Sequence, residues 1–329
     1  MKAVRIAITG VAGFIGSNLA VRLLERGDEV QGLDDLSHGI LRNLQGIVAH
    51  PRFRFRQGSI LDRAALDDVF PGCQAVVHLA AGKIPRYQDA LDTLTTNGEG
   101  GFSVLRAAVD HRVRRMVLAS TSDCYGRNPE VPFSEESVSV IGSPLVRRWS
   151  YAISKMFEEQ LLFAFRERHG LEAVALRLFG VYGPRQNPTW WGGPQSVFIA
   201  AALRGQEMEI HDDGQQTRSF TYVEDTVECF VRALDAPAAD GKVLNVGIDQ
   251  EITIQGLAEL CWKLVRDDQP RLRLVPLTSF GRYEDVRRRV PDNRLATEVL
   301  GHQPRVSLSQ GLPPTIAWQR QAMQEDGLL

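Results

Sequence analysis

Short apolar runs alternate with amphipathic stretches through the first half of the chain. "VRIAIT" is followed by "SNLAVRLLERG" and "EVQGLD", and later come "QAVVHLAA", "RRMVLAST" and "LEAVALRLF". Runs this short and this rich in Val, Ile and Leu read as strands buried on both faces, and parallel strands need helical crossovers between them. The alternation predicts a doubly wound α/β domain on a parallel sheet. After Leu178 the pattern changes, because "GVYGPRQNPTWWGGPQ" is dense in Gly, Pro and Trp and the later segments are shorter. A smaller α/β region covering a substrate is expected there. "KVLNVG", from Lys242 to Gly247, reads as a strand returning to the first domain. Two interleaved domains follow: residues 1–178 plus about 219–250, and about 179–218 plus 251–329. Internal repeats, heptads and low-complexity tails are absent from the sequence.

Composition narrows the classes of partner. The 329 residues are 43% hydrophobic, enough for two buried cores. Lys+Arg 38 against Asp+Glu 40 leaves a formal charge of -2, so no basic excess points to nucleic acid or to an acidic membrane. Cys73, Cys124, Cys229 and Cys261 lie far apart without CxxC or zinc-ligand spacing, which fits a reduced cytoplasmic setting and no metal. The opening "MKAVRIAITG" has no signal-peptide core, and no run of ~20 apolar residues is present to span a bilayer.

"ITGVAGFIGSNL" sets Gly10, Gly13 and Gly16 between the first strand and the first helix. Glycines there let backbone approach a pyrophosphate, which the free N–H groups and positive end of the helix hold. Asp34 ends the second strand, 18 residues beyond Gly16, where a carboxylate accepts from ribose hydroxyls and repels a 2′-phosphate, favouring NAD over NADP. Taken singly, these features are a tight structural turn and an exposed Asp. Together they predict a dinucleotide site.

The GxxGxxG form resembles the extended short-chain dehydrogenase/reductases, over nearly the whole chain. That resemblance implies a Rossmann fold with NAD bound by Gly10, Gly13, Phe14, Ile15, Gly16, Asp34, Leu79, Ala80, Ala81, Tyr151 and Lys155, and with Asn97 beginning the helix after "HLAA". Ser59 stands where the family usually has an adenine-contacting Asp, so adenine binding leans on Ile60.

In "RRWSYAISK", Tyr151 and Lys155 share a helix face. An isolated YxxxK is more often an amphipathic tyrosine beside a solvated lysine. Here it follows the glycine loop and "ASTS" in the family's order and spacing. A free tyrosine titrates near ~10, and an adjacent ammonium favours its phenolate. The resemblance implies that Tyr151 is the base that takes a proton from a sugar hydroxyl, that Lys155 lowers its pKa, and that Thr121, Ser122 and Asp123 line the reacting centre. It also implies a nucleotide-sugar substrate, with a UDP-sugar favoured, and anion contacts from Arg185, Arg218, Arg282 and Arg289.

Oxidation at C4 leads to epimerisation, decarboxylation or dehydration. "RRWSYAISK" and "RYEDVRRRVPD" look like the UDP-glucuronate decarboxylases, in which the arginine matching Arg289 is a proton donor near the sugar carboxylate. Those enzymes have Glu where this chain has Asp123, and the 4,6-dehydratases have Asp-Glu where it has Ser122-Asp123. Gly180 replaces the Asn of "RxFNxYGP", which implies less polar reach and more space, and Trp190 and Trp191 flank a sugar or pack the domain junction. The reading is an NAD-dependent nucleotide-sugar 4-epimerase, with UDP-glucuronate decarboxylation, 4,6-dehydration and a non-catalytic NAD-sensing protein as alternatives. Helices at Asn97–His111 and Tyr151–His169 are expected to form a homodimer face.

Overall fold

The computed structural model describes residues 3–83 and 89–329. Strand β1 (Arg5–Thr9) leads through helix α1 (Phe14–Arg26) to β2 (Glu29–Asp34) and β3 (Phe53–Gln57). Then come α2 (Arg63–Val69), β4 (Ala75–His78), α3 (Ala90–Asp110), β5 (Arg115–Thr121), α4 (Trp149–His169) and β6 (Glu172–Leu178). The second half holds β7 (Gly180–Tyr182), α5 (Pro194–Arg204), β8 (Met208–His211), β9 (Thr217–Tyr222), α6 (Val223–Asp235), β10 (Lys242–Val246) and β11 (Glu251–Thr253). It finishes with α7 (Ile254–Lys263), β12 (Leu272–Val275), β13 (Arg288–Arg289), α8 (Arg294–Leu300) and α9 (Leu308–Glu325).

Seven strands form one parallel sheet in the order β10-β6-β5-β4-β1-β2-β3. The Val/Ile/Leu runs at β1, β2, β4, β5, β6 and β10 became its strands because each is buried by helices on both faces, in two separate hydrophobic clusters. The strand order reverses between β1 and β4. In open α/β sheets a crevice opens there, beyond the carboxyl ends of the strands.

A four-stranded sheet, with β11-β9-β13 in order and β7 also on β9, packs with α5, α7 and α9 around a third cluster. Because β9 stays in this smaller sheet through Tyr222, the return to the large sheet begins with α6 at Val223, against an expectation of about 219. Leu295, Val299 and Leu300 of α8 also pack into the first cluster of the large sheet, although they lie beyond residue 251. No helix among the described residues is long and apolar enough to cross a membrane.

Candidate functional site

The crevice between β1 and β4 is built for close backbone approach. Gly10 has φ +77°, and a Cβ there would stand 2.7 Å from the Ala80 amide nitrogen; one on Gly16 would stand 2.1 Å from the Gly10 carbonyl oxygen. Gly13 caps α1 without a side chain, and Phe14 and Ile15 form the first turn. Leu79 and Ala80 are held by Thr9, whose carbonyl and hydroxyl accept their amides at 3.1 and 3.3 Å. Ala81 continues that backbone on the far side of the glycines. Asp34, buried, accepts the Ala12 and Leu36 amides at 2.9 Å each, so it ties the glycine loop to β2. Burial pushes its carboxyl above the usual range, against those amide bonds.

Thr121 ends β5, and Ser122 and Asp123 open the 3-10 turn Ser122–Tyr125. Tyr151 stands in the first turn of α4, with Thr121 beside its phenol. Burial, then the negative charges of Asp123 and Glu158, make its phenol hold the proton more tightly than a free tyrosine. In the protein without cofactor, burial thus outweighs the depression expected from Lys155, whose ammonium donates to the buried Glu158 carboxylate at 2.8 Å. Asp123 accepts from Arg289 and, at 3.3 Å, from Arg148. Burial pushes its carboxyl up, but Arg289, Arg148 and Arg218 outweigh that and hold it below the usual carboxylate range. Arg148 also donates to the Tyr283 hydroxyl and to Asp285, each at 2.9 Å, and Arg218 donates to Asp285 at 2.9 Å. Burial lowers the Arg218 guanidinium to about 10, while Arg218 and Arg148 overcome burial at Asp285 and hold it at about 2. Lys83, Arg148, Gly180, Trp190, Arg218 and Arg289 are among the residues lining a cleft of about 230 Å³.

A glycine crevice at the strand-order reversal, beside a tyrosine and lysine on one helix and a cluster of arginines, is the arrangement of a nucleotide-dependent enzyme. The profile of the NAD dependent epimerase/dehydratase family matches residues 6–247. The chain belongs to that family. It is 34% identical over 321 residues to a UDP-N-acetyl-alpha-D-glucosaminuronate decarboxylase of Bacillus cytotoxicus, covering 96% of this chain and 98% of that protein. It is 35% identical to a UDP-glucose 4-epimerase of Mycolicibacterium smegmatis, covering 97% and 100%. Among solved structures it resembles a tyrosine-to-phenylalanine mutant of UDP-glucuronic acid 4-epimerase from Bacillus cereus, in complex with UDP-4-deoxy-4-fluoro-glucuronic acid and NAD. That match has 26% identity and a TM-score of 0.86, and covers 97% of this chain and 99% of the other. The chain is thus an enzyme-family member among epimerases, decarboxylases and dehydratases of nucleotide sugars.

The remaining expected site residues of this epimerase/dehydratase member have distinct surroundings. Arg185 takes φ +72° and donates to the Ser17 carbonyl of α1 at 2.9 Å, away from the cleft. Arg282 is exposed beside the cleft residue Tyr283. Asn97 does not begin α3, which starts at Ala90; it is a strut whose amide bonds both Gly82 backbone groups and the Ser154 hydroxyl at 2.7–3.0 Å. Ile60 is buried with its side chain against Gly100 of α3. Trp190 lines the cleft and stacks on His211, whereas Trp191 packs on His38. Arg148, Glu158, Tyr283 and Asp285 were not singled out from sequence, although "RRW" and "YED" flagged two of the stretches.

Gly180 is not a vacated side-chain position. A Cβ there would lie 2.5 Å from the Ser219 carbonyl oxygen, because β7 runs against β9. Installing the family's asparagine should therefore push these strands apart. Gly180→Asn is expected to lower stability by about 1–3 kcal/mol and to reduce turnover, read by thermal unfolding and steady-state assay.

Proposed function

We propose that the protein is an NAD-dependent 4-epimerase of a UDP-sugar, acting through a transient 4-keto sugar. The observation that carries this reading is the state of Asp123, ionised and clamped between Arg148 and Arg289. Epimerisation needs only one acid/base group at the C4 oxygen, which Tyr151 supplies. Dehydration needs a further proton donor near C5, for which a carboxyl held below its usual range is a poor candidate, and in decarboxylation the donor would be Arg289, which here is engaged by Asp123. The crevice suits NAD. Its glycines leave no room for a Cβ, the uncapped end of α1 offers free amides to a pyrophosphate, and Asp34 keeps lone pairs for ribose hydroxyls. When bound, NAD accepts a hydride in the first half of the reaction and returns it in the second. Tyr151 takes the proton of the sugar hydroxyl, with Thr121 beside it to orient the reacting oxygen, and gives it back on reduction. Lys155 would bind the nicotinamide ribose, as the family resemblance implies. Arg218 and Arg289 line the cleft, where their guanidiniums would hold the substrate diphosphate.

A second reading, decarboxylation of a UDP-uronate, is favoured by two guanidiniums, Arg148 and Arg289, meeting at one carboxylate. A substrate carboxylate competing with Asp123 for them would sit where carbon dioxide leaves, and the Bacillus cytotoxicus relative is a decarboxylase by name. Incubation of the NAD-loaded enzyme with UDP-glucose, UDP-N-acetylglucosamine and UDP-glucuronate separates the two. Epimerisation leaves the mass unchanged and inverts one sugar proton coupling in the NMR spectrum. Release of carbon dioxide from UDP-glucuronate would replace the first reading with the second.

A second copy of the chain is the proposed partner. Leu91, Leu94 and Phe102 of α3 and Ile153 and Phe157 of the adjoining α4 are exposed apolar residues on neighbouring helices. Light scattering of the purified protein is expected to give twice the chain mass, and a monomer mass would reject the assignment.

A further inference from the structure

Two adjacent glutamates on α4 are buried, and their surroundings differ. Glu159 is fully engaged: Arg177 donates to its two oxygens at 2.9 and 2.7 Å, and the Ser120 hydroxyl donates at 2.5 Å. That is a structural ion pair. Glu158 has Lys155 alone, at 2.8 Å, and its second oxygen has no hydrogen-bond partner among the described residues. His78 Nε2 lies 3.9 Å from Glu158 and is likewise without a hydrogen-bond partner, while its Nδ1 is 2.6 Å from the Thr9 hydroxyl. The opposing wall is Gly101 of α3, where a Cβ would approach the Glu158 Cγ to 3.0 Å. A buried pair with so few hydrogen bonds is a poor source of stability, since desolvation costs several kcal/mol per ion. The effect of Glu158 falls instead on its neighbours, the lysine and, two turns earlier, Tyr151.

We propose that Glu158 is a positioning residue that holds the Lys155 ammonium and, through its own ionisation, sets how tightly Tyr151 holds its proton. This rests on the reading of Tyr151 and Lys155 as the acid/base pair. A charged Glu158 cancels the field of the ammonium at the phenol; a protonated one leaves that field intact. The groups facing Glu158 are few. Lys155, Glu159 and Tyr151 come from its own helix, and Glu159 is locked to Arg177. From β4 comes His78, which burial and Lys155 push down to about 3, so it stays neutral. The neighbour α3 presents here, Gly101, is uncharged. Burial, with help from Glu159, raises the Glu158 carboxyl to about 7 against the pull of Lys155. It therefore ionises before Tyr151, which then titrates against an anion. Asp123 adds a second anion at Tyr151 but is itself clamped by Arg148 and Arg289.

Glu158→Gln keeps the shape and removes the charge, and Glu158→Ala serves if that variant does not fold. The first readout is thermal stability of the purified protein. Glu158 has a folded-state pKa above its unfolded value, so its stabilising contribution is complete below the ordinary glutamate range and is lost as pH rises through about 7. The difference in Tm between variant and wild type should thus move in the variant's favour from about pH 5.5 to about pH 8.5. The second readout is the pH profile of turnover of UDP-glucose or UDP-glucuronate by the NAD-loaded enzyme. Its acid limb should move down by about one pH unit in the variant, the size expected for one charge removed at short range in a partly polarisable interior. A Tm difference that stays constant with pH overturns the proposal. So does one that moves while the acid limb does not, since Glu158 would then be structural only. The paired control is Tyr151→Phe: if it stays active, the acid/base reading itself fails, whereas an inactive Tyr151→Phe with an unmoved limb in Glu158→Gln rejects only the role of Glu158.

Discussion

Tyr151→Phe should lower kcat for any accepted UDP-sugar by about 10²–10⁴-fold, the usual contribution of a positioned acid/base group, while leaving the fold and NAD binding in place. The polar group beside the phenol is Thr121, at the end of β5. Losing a hydrogen bond to Thr121 would cost only about 1 kcal/mol of stability, too little to unfold the domain. The ring itself remains to pack in the first turn of α4. The variant separates catalysis from structure in a way that Lys155 cannot, because removing the ammonium would leave Glu158 as an unpaired buried carboxylate. Thermal unfolding with and without NAD reports whether the crevice is intact, and single-turnover mixing with UDP-glucose or UDP-glucuronate reports the chemical step. Retention of turnover within about threefold of wild type, far inside the range expected for an acid/base group, would remove Tyr151 from the mechanism.

The parts of this site that were legible in sequence are those whose chemistry is local. Gly10, Gly13 and Gly16 stand between a strand and a helix, and Asp34 ends the next strand, so spacing alone places them together. The six Val/Ile/Leu runs were legible because burial on both faces leaves no polar alternation. The seventh strand of the sheet was not, since β3 reads "FRFRQ" and lies at the sheet edge with its polar residues toward solvent. Long-range pairings are harder still. Asp123 meets Arg289 across 166 residues of chain, a contact that exists only because β13 pairs with β9 next to Arg218. Arg185 looked like an anion ligand by residue type, yet a left-handed backbone turns its guanidinium onto α1. Arg287 and Arg288, next to Arg289 in sequence, are exposed partners of Asp213 and Glu251. Glu158 carried no signal at all. A glutamate three residues after a lysine on a helix ordinarily pairs with it in water, and here the pair is buried where α4 meets Gly101 of the facing helix.

Gly16→Ala is the substitution with the largest expected effect on the cofactor crevice. Its new methyl would begin 2.1 Å from the Gly10 carbonyl oxygen, 2.9 Å from the Gly10 carbonyl carbon and 2.9 Å from the Val11 Cα. All three are backbone atoms, so no side-chain rotation can relieve the contact. Neither can the loop retreat easily, because Gly10 and Val11 both donate to the Leu33 carbonyl, at 2.8 and 3.3 Å, and Gly10 lies against the Ala80 backbone. Asp34 adds a further tie through the Ala12 amide. The chain must either lift α1 off the sheet or break the loop that presents its amides. Strain of this kind costs about 2–4 kcal/mol, enough to lower Tm by several degrees in a domain of this size. NAD affinity should fall by more than about 100-fold, since the amides and the helix end no longer converge on one pyrophosphate. Gly13→Ala is the matched comparison. Its Cβ would meet only the Gly10 oxygen at 3.1 Å, a contact the loop can absorb by a few tenths of an ångström. Calorimetric titration of NAD into both variants should rank them in that order. Equal loss in the two would mean that the tight turn, rather than the approach of α1 to β1, is what the glycines serve.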